Sequence, residues 1–139
     1  MTPNQRKAAA LAIAAAIAIP AEGLRQVAYR DPPGILTVCY GSTTNVQPGK
    51  VYSLVECKAR LDADMLAAVA TVERCAPGLP VNALAAFSDA VYNIGPTIAC
   101  DKTRSTAARL LAVGMVEDAC RQLTRWNKAT VAGQLVELP

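Results

Sequence analysis

At 139 residues with 53% apolar side chains, the chain suits one domain and is apolar enough to bury a real core. Alanine dominates that apolar fraction while Phe and Trp are nearly absent, which favours packed helices over a sheet sandwich. A net charge of +3 is too weak for a dedicated nucleic-acid surface, and the absence of histidine removes Ser-His-Asp, Cys-His and His-ligated metal chemistry, leaving carboxylates as candidate acid and base.

The first element is an alanine tract. Residues Ala8 to Ala21 carry no charged or polar side chain, follow Arg6 and Lys7, and stop at Glu22. A basic flank before an apolar run reads as a membrane-targeting segment held cytoplasm-in, with residues 1–21 set apart from a domain over 22–139. Fourteen residues make roughly 21 Å of helix against about 30 Å of bilayer core, and nine of the fourteen are alanine, so the expected anchor is weak. A cleaved signal peptide and an alanine-rich core helix are the alternatives. Retention ranks above cleavage, because processing after Ala14-Ala15-Ala16 would leave the next motif on a short stub.

From Tyr29 to Val46 the pattern changes to Pro32, Pro33 and Gly34, the run Ile35-Leu36-Thr37-Val38, then Gly41 and polar turn residues, which predicts a small irregular β-hairpin. Ser53-Leu54-Val55-Glu56 is a capping box opening a helix to about Cys75, with Leu54, Leu61, Met65, Leu66, Val69 and Val72 on its apolar face. After the break Ala76 to Pro80, Asn82 is placed as the cap of a central core helix running through Leu84, Phe87, Val91 and Ile94 to a Gly95-Pro96 stop. Ser105 caps a short helix ending near Gly114, and Val116 to Arg125 forms another. Beyond Trp126 no period is visible, and the ending on Leu138-Pro139 leads us to expect a chain short of a closing helix.

Cys39, Cys57, Cys75, Cys100 and Cys120 are many for a reduced cytosol, and no Cys-x-x-Cys pair suggests zinc. Cys75 with Cys100 would staple the core helix and Cys39 with Cys57 would pin hairpin to helix; buried free thiols are the alternative. The odd count leaves one orphan, with Cys120 as the candidate and its mate sought beyond the last residue.

The chemistry concentrates early. Glu22 ends the alanine helix, Asp31 follows after eight intervening residues, and Thr37 lies on the hairpin after five more. Glycoside hydrolysis needs one carboxylic acid that keeps its proton and a second, ionised carboxylate. Ile19, Pro20, Leu24 and Val27 around Glu22 would raise its pKa by desolvation, whereas Asp31 on a Pro/Gly loop beside Arg30 would stay solvated and ionised. Thr37 offers a hydroxyl to orient a water, as inverting hydrolysis requires.

Glu22-Gly23-Leu24-Arg25, Tyr29-Arg30-Asp31 and Gly34-Ile35-Leu36-Thr37-Val38-Cys39-Tyr40-Gly41 together resemble the active-site stretch of the phage-type lysozymes, glycoside hydrolase family 24. Tyr92-Asn93-Ile94-Gly95, Ser105-Thr106 and Ala119 to Trp126 are similar to blocks of lambdoid endolysins in that family. The resemblance implies a lysozyme-like α+β fold, mainly α, with a small β-hairpin lobe, a helical lobe and a cleft between them. It implies Glu22 as general acid, Asp31 as the group handling the attacking water, Thr37 as its hydrogen-bonding partner, and Asn93 and Tyr40 against the sugar. Asn93 also reads as a plain helix C-cap, and Tyr92 and Trp126 read first as core aromatics, with sugar platforms as the alternative. Ser42 departs from the histidine of many relatives, and the arginine-rich closing helix is missing.

The implied activity is a muramidase cutting between N-acetylmuramic acid and N-acetylglucosamine for host lysis, needing no cofactor or metal. Expected partners are peptidoglycan strands and, before release of the N-terminal segment, the inner membrane; nucleic acid is not among them, and a periplasmic, phage-encoded monomer is expected. A catalytically inactive peptidoglycan-binding envelope protein is the alternative, and a small membrane-permeabilising helix with an accessory domain is disfavoured by the hydrophilic body.

Overall fold

The computed structural model describes the backbone of residues 1–126, 128–131 and 134–137, and the side chains of residues 1–21 and 23–124. The expected core placement of Trp126 and any placement of Leu138 and Pro139 lie outside the described residues.

Helix α1 spans Pro3–Glu22. It begins well before the apolar tract because Thr2 and Gln5 form a capping box, Thr2 Oγ1 accepting from the Gln5 amide at 3.1 Å and Gln5 Oε1 from the Thr2 amide at 2.9 Å, with Pro3 as the first helical residue. Ala10, Ala14, Ala15 and Ala18 recur at helical spacing and are buried, so one face joins the core of the helical lobe. Methyl side chains let the backbones of α1 and its neighbours come close. The chain then leaves the helix at Gly23, whose φ of +69° is a conformation glycine adopts without strain.

Strands β1 (Arg25–Arg30) and β2 (Leu36–Cys39) pair antiparallel, with Tyr29 opposite Thr37 and Arg30 opposite Leu36. The hairpin therefore starts four residues before the Tyr29 expected from sequence. Arg25 and Gln26 carry no strand pattern because β1 is exposed over its first half and irregular in register between Arg25 and Tyr29. Val38, Cys39, Tyr52 and Cys57 form the small core of this lobe.

Helix α2 (Leu54–Cys75) starts at the expected capping box: Ser53 Oγ accepts from the Glu56 amide at 3.0 Å and Glu56 Oε1 from the Ser53 amide at 3.1 Å. Lys50, bonded to Glu56 at 2.7 Å, is the main reason the Glu56 carboxyl titrates below its usual range. Leu61, Met65, Val69 and Val72 are buried as expected, but Leu54 and Leu66 are exposed. Leu54 is the first helical residue, ahead of the packed turns, and Leu66 falls off the buried stripe.

Helix α3 (Val81–Ile94) supplies Leu84, Phe87 and Val91 to the core. Its cap differs from expectation: Pro80 is the N-cap, no side chain caps it, and Asn82 sits inside the helix. Gly95 is its C-cap, so Asn93 is a residue of the last turn rather than a cap. A helical turn α4 (Thr97–Cys100) follows, then α5 (Thr106–Ala112), capped by Ser105 Oγ accepting from the Ala108 amide at 3.1 Å. The single helix expected over Val116 to Arg125 is two, α6 (Val116–Arg121) and α7 (Leu123–Trp126). The Gln122 amide there donates to the carbonyls of Ala119 and Asp118, which tightens the turn and breaks the run. β3 (Lys128–Val131) and β4 (Gln134–Glu137) pair as an antiparallel hairpin where no element was expected.

Both candidate disulfides form. Cys39–Cys57 ties β2 to α2, and Cys75–Cys100 ties the end of α2 to α4. Cys120 is the free cysteine among the described residues, and burial first, then Glu117, pushes its thiol above the ordinary range.

Candidate active site

Asp31 occupies the junction where β1 turns toward β2. Its amide donates to the Ile35 carbonyl at 3.0 Å, its own carbonyl accepts from the Gly34 amide at 2.8 Å, and its Oδ1 accepts from the Ile35 amide at 2.7 Å. Arg30 Nη1 donates to the Gly34 carbonyl at 2.9 Å. The carboxylate is thus a structural part of the loop, an Asx-type closure that fixes its side chain.

Thr37 is buried, at 4% exposure, and its hydroxyl donates to the same Ile35 carbonyl at 3.0 Å. The peptide groups of Ile35 consequently hold both residues, the amide gripping Asp31 and the carbonyl gripping Thr37. With its proton committed to Ile35, the Thr37 hydroxyl offers acceptor lone pairs to anything else that approaches. Ile35 was missed by sequence reasoning because only its main chain acts; its side chain is half-exposed.

Glu22 is the last residue of α1. Its side chain lies outside the described residues. Of the apolar neighbours expected to shield it, Ile19 packs against the core, whereas Leu24 and Val27 are exposed.

Tyr40 sits at the seam between lobes, packed against both hydrophobic clusters, and its carbonyl accepts a hydrogen bond from the Tyr92 hydroxyl of α3. Asn93 is exposed and hydrogen-bonded to Asp89 one turn earlier. A groove of about 310 Å³ opens at this seam, walled by Gly41, Thr43 and Thr44 from the hairpin side, Asp64 and Thr71 from α2, and Tyr92 from α3.

Two carboxyls that the motif reading passed over are half-buried beside these elements. Asp64 is pushed up by burial, opposed by a hydrogen bond from Ser42 and by the Arg60 charge. Asp89 is pushed up by burial, opposed by Asn93, and its Oδ1 is buried without a hydrogen-bond partner among the described residues. The available signal was a charged residue on the inward edge of an apolar face, as Asp64 lies between Leu61 and Ala68. Ser42 is buried and receives Arg60 Nη1 at 3.0 Å, and Arg60 also reaches the Thr44 and Asn45 carbonyls at 2.6 and 2.9 Å. Serine thus couples the hairpin to α2 through Asp64 and Arg60 without a histidine.

Residues 20–138 match the family model described as phage lysozyme. The chain belongs to the phage lysozyme family. Among curated relatives, the SAR-endolysin of Enterobacteria phage P21 is 35% identical over 148 residues, covering 93% of this chain and 86% of that protein. The SAR-endolysin of Bacteriophage PS119 is 37% identical over 110 residues, covering 78% of this chain; the match spans 64% of that relative's length, and the same share of the PS34 relative. The muramidase domain of SpmX from Asticaccaulis excentricus superposes with a TM-score of 0.75 at 27% identity, over 94% of this chain and 84% of that one. The active form of the P1 phage endolysin Lyz gives 0.73 at 22% identity, covering 92% and 74%, a likeness of fold. The phage lysozyme fold is therefore the architecture here, mainly helical with a two-stranded antiparallel sheet, β1–β2, in the hairpin lobe and a second, β3–β4, near the end of the chain, and the groove lies at the seam between the hairpin and the helices.

Proposed function

We propose that the chain is an endolysin, a muramidase hydrolysing the β-1,4 bond between N-acetylmuramic acid and N-acetylglucosamine in peptidoglycan. The observation carrying this reading is the common grip of Ile35 on Asp31 and Thr37. A water between them can give one hydrogen bond to the Asp31 carboxylate and one to the Thr37 oxygen, which turns its lone pair outward as a nucleophile. Glu22 is assigned the acid that protonates the departing sugar oxygen. Its backbone is at the carbonyl end of α1. Tyr40 and Asn93 are assigned to the sugar-facing wall. No cofactor enters the scheme, and among the described residues no cluster of His, Cys, Asp or Glu could hold a metal ion.

The membrane part of the reading rests on α1. A surface helix ordinarily turns polar residues outward. From Ala8 to Ile17 the outward face is Ala8, Ala12, Ile13, Ala16 and Ile17, all apolar and exposed. A stretch apolar on every side suits one that spends time in lipid before docking. Among the described residues no helix is long and apolar enough to cross a membrane. From its apolar outer face and the names of the SAR-endolysin relatives, we read α1 as a weak, releasable anchor in the inner membrane, with action on the wall in the periplasm.

The test is wall turbidity with the parent, Glu22→Gln and Asp31→Asn. Each substitution is expected to lower turnover by roughly 10²-fold or more, in line with removal of a general acid or base. Mass spectrometry of the fragments should show new reducing ends at N-acetylmuramic acid. A parent that binds walls without cleaving them would replace this reading with the non-catalytic one.

A further inference from the structure

We infer that Arg6 and Glu73 are a positioning pair, which keeps α1 docked on the helical lobe and so holds the backbone of Glu22 at its place beside the hairpin. The inference rests on the proposed roles of Glu22 and α1. The buried residues of α1 are Ala10, Ala14, Ala15 and Ala18, whose methyl groups bury little area each, with Leu11 and Ile19 partly buried against the same core. Docking by apolar burial alone is accordingly weaker than for a leucine-faced helix. The polar contacts from α1's described side chains to α2 and to the 76–80 connection both run through Arg6. Its Nη2 pairs with Glu73 Oε1 in the last turns of α2, and its Nη1 donates to the Leu79 carbonyl just before α3. One guanidinium therefore fastens α1 to both of its packing partners.

The environment gives this pair more weight than an ordinary surface ion pair. The two side chains keep only 20% and 22% of their exposure, so the contact is shielded from solvent and salt. The fork geometry of arginine lets one side chain serve a carboxylate and a carbonyl together. Glu22 lies sixteen positions after Arg6, about 24 Å along a helix, so fixing the near end limits how α1 can swing or slide at the far end. Arg6 also stands in the basic flank of the proposed anchor. The charge that would hold the segment's near end outside the bilayer becomes, after release, the charge that locks the helix down. The pair can form only in the docked state, because Glu73 and Leu79 belong to the folded body.

The full chain in its soluble, docked form is the material for the test. Glu73→Ala, Arg6→Ala, the double variant, and the exchanged pair Arg6→Glu with Glu73→Arg are compared by hydrogen exchange and by kcat and KM on wall glycan. Each single variant is expected to speed exchange of α1 amides roughly tenfold relative to those of α2 and α3. The double variant should add little to Arg6→Ala, and the exchanged pair, which restores the ion pair but has no donor for the Leu79 carbonyl, should recover part of the loss. Turnover should fall in the same order, with KM within about twofold. Equal acceleration in all three helices would reduce the pair to general stability and overturn the inference. Faster exchange of α1 with kcat unchanged would overturn the positioning role, and unchanged exchange would overturn the lock itself. A parent with no wall activity would remove the proposed function, yet the exchange data would still decide whether the pair holds α1.

Discussion

Thr37 tests whether the Ile35 grip serves chemistry or only the turn. Thr37→Val keeps the buried shape and removes the hydroxyl, so the Ile35 carbonyl loses one of its two donors, at a cost of about 1 kcal/mol. Were the hydroxyl only a brace, the variant would melt roughly 4 °C lower and turn over normally well below that temperature. The proposed water-orienting role predicts instead a fall in kcat of about tenfold or more with the fold intact, and Thr37→Ser, which keeps the hydroxyl, should retain most activity. Asp89 is a second case at this scale. Burial raises its folded-state pKa above the ordinary carboxyl value, so the neutral form suits the fold and its stability contribution is fully present in acid and lost as pH rises through the folded pKa. Asp89→Asn removes that loss. Relative to the parent it should gain about 1 kcal/mol near neutral pH, the low end for a half-buried group with an unpartnered oxygen, and the gain should vanish below about pH 4. Melting curves across pH decide it; a gain that persists in acid would point to a different cause.

Elements whose signal is local were legible in the sequence, and those decided by packing were not. The Ser53 to Glu56 box, the Ser105 cap and the Gly95 stop are short-range hydrogen-bonding chemistry, and each sits where it was expected. The start of α3 was not, since proline at the cap leaves no side-chain mark and Asn82 looked better than it is. Asp31 and Thr37 were legible as residue types in a motif, while the main chain of Ile35 that joins them carries no side-chain signature. The sequence leaves the two disulfides open against free thiols, and the fold decides between them by bringing β2 onto α2 and α4 onto the end of α2. They close intervals of 18 and 25 residues, so removing either should cost about 3 kcal/mol in denaturant titrations. Their consequences should differ. Cys75→Ala with Cys100→Ala loosens the helical lobe alone, whereas Cys39→Ala with Cys57→Ala frees the turn beside Tyr40 and Ser42, and should lower kcat as well as stability. Equal losses of activity from both would argue that Cys39–Cys57 has no special bearing on the site.

On the scale of the whole molecule, α1 must satisfy two environments with one composition. Its inward alanines fit a tight helix interface, while its outward alanines and isoleucines have no packing duty, which separates the two demands by position. Leucine at Ala12 and Ala16 would raise the apolarity of the outward face and leave the docking face untouched. A chain so altered should stay in the membrane pellet after carbonate extraction and clear cells late, yet any fraction that does escape should be as active per molecule as the parent. Leucine at Ala14 and Ala18, both without exposure, should act differently: overpacking there costs about 1–3 kcal/mol per site, so even material freed from lipid would hold α1 poorly and lose turnover. The contrast turns on position at matched hydrophobicity. Identical membrane retention and identical activity for the two pairs would mean that the docked helix has no part in assembling the site, and an unchanged soluble fraction for the Ala12 and Ala16 pair would remove the anchor.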